Sequence, residues 1–207
     1  MVLHVLVEGT SDLPTLREIL TRKIGLTGGS DFVIHPHRGS IPANPNDVPS
    51  PREQQLLSLL PSKLRAYGKN SPEHAVVVVV DADRDDCHAL KQSLLTLYQS
   101  INPRPEKVLF RIAVEEMESW FIADTNAVLQ AHPTAQIANL AAIAPDSIVG
   151  AWEELAKALG LDPAKCSGAD KEEWAKDISP HLNLDAPMSP SLKALISGLE
   201  RISGIAP

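Results

Sequence analysis

Residues 75–86 read AVVVVVDADRDD, five consecutive valines that run straight into four carboxylates. An unbroken β-branched run bounded by polar residues is a strand apolar on both faces, and such strands lie at the centre of mostly parallel sheets covered by helices. The run therefore predicts an α/β fold. It also places the acids at the C-terminal end of the strand, the edge at which open α/β sheets bind their ligands. Asp81 and Asp83, two positions apart on the loop leaving the strand, repel one another unless a proton or cation intervenes. A hard divalent metal resolves that repulsion most simply, because Mg²⁺ takes oxygen ligands and uses few carboxylates per ion.

The same junction recurs. Residues 1–7 form a short apolar strand that ends in Glu8-Gly9-Thr10-Ser11-Asp12, after which Leu13, Leu16, Ile19 and Leu20 repeat at helical spacing. Ser11 or Asp12 can serve as N-cap, and Pro14 falls near the first turn, where proline is tolerated. Residues 108–114 (VLFRIAV) read as another strand, followed by Glu115, Glu116 and Glu118 and then the segment SWFIAD. Three apolar strands thus deliver acids to their C-terminal ends, and if the first lies beside the valine strand, Glu8 and Asp81 converge. A shared metal site is the reading that the repetition favours.

Between these junctions the chain reads as ordinary α/β filling. Gly28-Gly29 closes the first helix, and residues 32–35 (FVIH) offer a brief strand. Residues 36–51 carry five prolines and read as a loop. His35, His37 and Arg38 at its start fit either a solvated connection or a phosphate-contacting loop. Residues 54–67 are helical in pattern, with Pro61 expected to kink or split the helix. Residues 89–100 form an amphipathic helix ended by Pro103 and Pro105. Asp85 and Asp86 are expected to face solvent on the turn before it. Beyond Asn126 the texture becomes helical, over residues 128–140, 147–159, 171–182 and 191–202. The expected organisation is an α/β domain over 1–125 with a helical extension over 126–207 packed on it, in which Trp152 and Trp174 anchor helix packing.

Composition limits the partners. A net charge of −7 excludes a protein that grips nucleic acid by bulk positive charge, so any polyanion contact has to be local or metal-mediated. No apolar stretch approaches the roughly 20 residues needed to cross a bilayer, and no secretory leader pattern is visible, so no membrane association and a cytoplasmic location are expected. Cys87 and Cys166 form neither a metal spacing nor a disulfide framework. Both read as plain thiols.

Glu8 within VEGTSD and the Asp81-x-Asp83 pair after a strongly hydrophobic later strand resemble the TOPRIM domain shared by topoisomerases, primases and the old-family (overcoming lysogenization defect) nucleases. The set VEGTSD, VVDAD and EEMESWFIAD looks more closely like a bacterial family of TOPRIM-like proteins without an assigned activity. The resemblance covers residues 1–125 well and the tail weakly. It implies a TOPRIM-like, Rossmann-like sheet and a metal-dependent phosphodiesterase or nuclease acting on DNA or RNA. Glu8 would be the general acid/base, Asp81 and Asp83 would hold Mg²⁺ or Mn²⁺, and Glu116 and Glu118 would complete a second metal site or position the nucleophile. Lys171 is a surface residue in this reading, or a phosphate contact. The resemblance also implies a defence or repair effector. No GxxxxGK[ST] motif occurs in the chain, so any ATPase is a separate partner protein. A homodimer is expected on general prevalence alone.

Two other readings share these residues. A non-catalytic TOPRIM-like module that binds nucleic acid ends or a nucleotide fits the acidic balance. A haloacid-dehalogenase-like phosphatase would use Asp81 as nucleophile, but that loop normally follows the first strand, whereas here it follows a later one.

Overall fold

The computed structural model of the chain describes residues 1–37, 56–82 and 86–205. Four strands form one sheet: β1 (Val2–Val7), β2 (Phe32–Pro36), β3 (His74–Asp81) and β4 (Lys107–Ala113), in the order β2-β1-β3-β4. Every pairing is parallel. The valine run is central, as its composition requires: Val76–Val80 are each no more than 2% exposed, flanked by β1 and β4. The α/β, Rossmann-like architecture expected from the sequence is thus present.

The strand pleat divides the core in two. Ala75, Val77 and Val79 face one layer together with Leu3, Val5 and Val7, while Val76, Val78 and Val80 face the other with Leu6. On the second face lie α2 (Leu56–Gly68) and α3 (Cys87–Ser100). The first face is covered by α1 (Asp12–Glu18), α4 (Glu118–Ala123), α5 (Thr125–Ala131), α6 (Ala151–Ala158), α7 (Gly168–Ile178) and α8 (Pro190–Ser203). Residues beyond 125 therefore share one continuous core with the sheet. Among the described residues no helix is long and apolar enough to cross a membrane.

Local chemistry explains where the elements depart from the sequence pattern. Helix α2 runs through Pro61 as one helix and is not split in two there. An interior proline costs about 3 kcal/mol, and the fully buried Leu56, Leu60 and Leu64 on either side hold the helix to the sheet. Conversely, the helix expected over residues 128–140 ends at Ala131. Pro133 disfavours the helical region for His132, whose φ and ψ are −129° and 83°. The chain resumes only as a short 3₁₀ turn at Leu140–Ala142.

Candidate functional site

Three loops at the C-terminal edge of the sheet carry the acids. Glu8 follows β1, and the turn behind it is tied by Asp12, whose carboxylate accepts from the Gly9 N–H at 3.1 Å and from Ser11 Oγ at 3.3 Å. Ser11, one of the two expected candidates, occupies the N-cap position but makes no side-chain cap bond; Asp12 is the first residue of α1, 8% exposed and turned back on the loop. Gly9 keeps that loop tight, since a Cβ there would lie 3.0 Å from Ser11 Oγ. Asp81 is the last residue of β3, paired with Ala113 of β4. Asp83 and Asp85, with Arg38, lie outside the described residues.

After β4 the three glutamates separate. Glu115 takes a left-handed conformation (φ 64°) and sends its carboxylate away from the edge, accepting from the N–H groups of Gly150 at 2.5 Å and Ala151 at 3.0 Å. It thereby supplies the anion at the N-terminus of α6. Glu116 and Glu118 turn toward the other acids. Glu118 is 5% exposed, and Oε2 of Glu116 is buried with no hydrogen-bond partner. Lys171, on α7, reaches both: its Nζ is 3.1 Å from Glu116 Oε1 and 3.4 Å from Glu118 Oε1, and stands 5.4 Å from the centre of the Trp152 ring.

The electrostatics report one shared cluster. Burial, followed by Asp12, Glu118, Glu8 and Glu116, raises the Asp81 carboxyl well above the usual range. Burial also raises Asp12 to about 6, against hydrogen bonds from Gly9 and Ser11 that lower it, with Glu8 adding to the rise. Glu116 is pushed up to about 7 by burial and then by Glu118, with Lys171 opposing. Glu118 is raised by burial despite Lys171. Burial would lower the Lys171 ammonium, but Glu118 and Glu116 outweigh it and raise its pKa. Burial raises Asp12, Asp81, Glu116 and Glu118, neighbouring carboxylates add to the rise, and Lys171 opposes it at Asp12, Glu116 and Glu118.

A family model described as Domain of unknown function (DUF4276) matches residues 7–200. The chain belongs to that family. No curated protein and no solved structure matches it. The DUF4276 match takes in every acid of the cluster and extends over Lys171 and Trp152.

The sequence expectation for Glu8, Asp81, Glu116 and Glu118 placed all four at one edge, and there they lie in this DUF4276 member, electrostatically coupled. Lys171 and Asp12 were named in the sequence in other roles, and their place in the acidic cluster was not foreseen. Lys171, expected at the surface or against a phosphate, is half-buried, its side chain 22% exposed beside Glu116 and Glu118. The Asp12 signal was a second carboxylate four residues after Glu8; Lys171 carried none. An all-oxygen donor set with a buried unpartnered Oε2 fits a hard divalent ion such as Mg²⁺ or Mn²⁺. Among the described residues no three His, Cys, Asp or Glu side chains are already gathered as ligands around one point.

A second ionisable cluster sits on the α2 side of the same strands. His4 of β1 is central: its Nδ1 is 3.0 Å from His35 Nε2 on β2, and its Nε2 is 3.0 Å from His74 Nδ1 on β3. Tyr67 of α2 packs over His4 at 4.4 Å between ring centres, with its hydroxyl 3.4 Å from His35 Nε2. His35 is thus engaged with rings, and His37 donates from Nδ1 to the Val7 carbonyl at 3.0 Å. The two nitrogens of His4 face different partners, so this is a hydrogen-bonded chain of imidazoles.

Proposed function

We propose that this chain is a TOPRIM-like, Mg²⁺- or Mn²⁺-dependent phosphodiesterase that cleaves DNA or RNA. The observation that carries the reading is the delivery of Glu8, Asp12, Asp81, Glu116 and Glu118 to one patch by three adjacent parallel strands. Mutual repulsion there is larger than one lysine relieves, which is the condition for binding a cation strongly. Asp81, Glu116 and Glu118 would hold the metal, together with Asp83, two positions after Asp81 in the sequence. A divalent ion bound there supplies Lewis acidity toward phosphoryl oxygens and a more acidic bound water.

The rest falls to the chain's own groups. Glu8 moves the proton of the attacking water or the leaving oxygen. Asp12 fixes the turn that carries Glu8, through Gly9 and Ser11. The net charge of −7 leaves the polyanion to be gripped at this patch rather than by the whole surface. Coupling to ATP, as a defence or repair effector, would come from a separate ATPase protein.

The test is incubation of supercoiled plasmid, single-stranded DNA and total tRNA with the purified chain in Mg²⁺, Mn²⁺ or EDTA. Cleavage is expected with metal only, and Glu8→Gln is expected to slow it by about 10²- to 10⁴-fold. Asp81→Asn should abolish metal-dependent cutting. Cutting that persists in EDTA, or that survives Asp81→Asn unchanged, overturns the proposal. Metal-dependent binding of the same nucleic acids without any cutting would leave the binding-module reading in its place.

A further inference from the structure

We propose that Lys171 is a built-in counter-ion that competes with the divalent metal for Glu116 and Glu118, so that loading the metal requires the lysine to let go. The inference rests on the metal reading above and concerns what holds the site before metal arrives. Three observations carry it. The Nζ lies within 3.4 Å of one oxygen from each glutamate, a separation at which it takes the place of a shared cation. The second oxygen of Glu116 is buried and unpartnered, so the lysine leaves ligand capacity unused that a metal with several coordination positions can take up. Lys171 also has somewhere to go: its ammonium already stands beside the Trp152 face, an alternative resting place for a displaced cation.

A lysine is suited to this role because it is a single compact charge on a flexible four-carbon stem. It arrives on α7, from outside the three strand-end loops, and its departure breaks no backbone bond of the edge. The consequence is that metal affinity is set by a difference, metal against ammonium, and is weaker than the number of carboxylates suggests. Any ligand that draws Lys171 away from the glutamates, a phosphate group above all, would then tighten metal binding, and metal would in turn tighten the phosphate.

Isothermal titration of the full chain with Mg²⁺ and Mn²⁺ tests this. Lys171→Gln is expected to bind Mn²⁺ roughly tenfold more tightly than the parent, the size of one partly buried ion pair removed from the competition. Lys176→Gln, on the same helix with its lysine paired to Glu172 instead, is expected to stay within about twofold, which separates direct competition from a general change of charge. A second readout needs no variant at position 171: Mg²⁺ should change the tryptophan fluorescence of the parent chain, and Trp152→Phe should lose that change. Equal or weaker metal binding by Lys171→Gln, or a fluorescence change untouched by Trp152→Phe, overturns the competition while leaving the metal site standing. Failure of both the parent and Lys171→Gln to bind either ion overturns the metal reading itself and this inference with it.

Discussion

Strand β1 carries His4 in its middle and Glu8 just past its end; strand β3 begins with His74 and ends with Asp81. The same two strands therefore feed two clusters of ionisable groups, and the two handle crowding in opposite ways. At the C-terminal edge the carboxylates cannot satisfy one another, since ionised acids only accept hydrogen bonds. They need a proton, a lysine or a metal. On the α2 face the histidines need nothing foreign, because a neutral imidazole donates from one nitrogen and accepts at the other, and His4 bridges His35 and His74 on that basis. One cluster is incomplete by its chemistry and the other is closed. This difference is why the acids, and not the histidines, are read as the binding site.

The two clusters also pull stability in opposite directions as pH changes, which gives ways to separate them. The largest expected effect belongs to Glu116. Its folded-state pKa of about 7 exceeds the ordinary 4.5, so the folded chain holds more protons than the unfolded one between those values, and stability falls as pH rises through that window. Glu116→Gln, which mimics the protonated form, should raise the unfolding free energy of the metal-free chain by roughly 2 to 3 kcal/mol at pH 8 and hardly at all at pH 4. Urea unfolding at the two pH values measures it. A variant less stable than the parent at pH 8 would mean that the Lys171 pair dominates the site.

His4 should show the reverse slope at smaller amplitude. Burial, then repulsion from His35 and His74, lowers its pKa from 6.5 to about 4. The unfolded chain then binds the extra proton between those values, so stability is lost as pH falls from 6.5 toward 4. Allowing for the screening of a half-buried ring, the loss is roughly 1 to 2 kcal/mol. In His4→Gln the thermal midpoint should fall less between pH 7 and pH 5 than in the parent, although the variant starts lower at pH 7 for want of its ring contacts. Identical pH profiles for the two proteins would remove the imidazole chain from the account of acid sensitivity.

The smallest effect is expected at the Lys23–Asp185 pair, 2.7 Å apart but with Asp185 90% exposed. Asp185→Asn should shift the denaturation midpoint less than either variant above, and less still at high salt. A larger value in chemical denaturation would show that short distance alone, without burial, is enough to make a charge matter here.

What could be read without coordinates follows the reach of local signals. The valine run announced a buried central strand because β-branched residues at five consecutive positions have no solvated face, and the acids behind it were placed by chain connectivity alone. Glu8, Asp81, Glu116 and Glu118 were therefore legible. Asp12 was hidden because an acid at a helix start has a common local use as a cap. Lys171 was hidden more deeply: it meets Glu116 across 55 positions of sequence, and an isolated lysine on an amphipathic helix looks like any solvated one. His4 and His74 were passed over for a similar reason, since their partnership exists only across three paired strands. The boundary at Ala131 was missed because alanine and leucine spacing outweighed the single proline that ends the helix.

Glu115 has one more effect, on the order in which the molecule can be made. Its carboxylate closes on Gly150 and Ala151, 35 and 36 positions further along. The ribosome releases the corner bearing Glu116 and Glu118 well before that clasp, and before the lysine on α7, can reach it. A nascent chain stalled in this interval has its strands and every acid of the cluster but neither the fastening nor the counter-charge, so the edge is complete only once α7 has emerged.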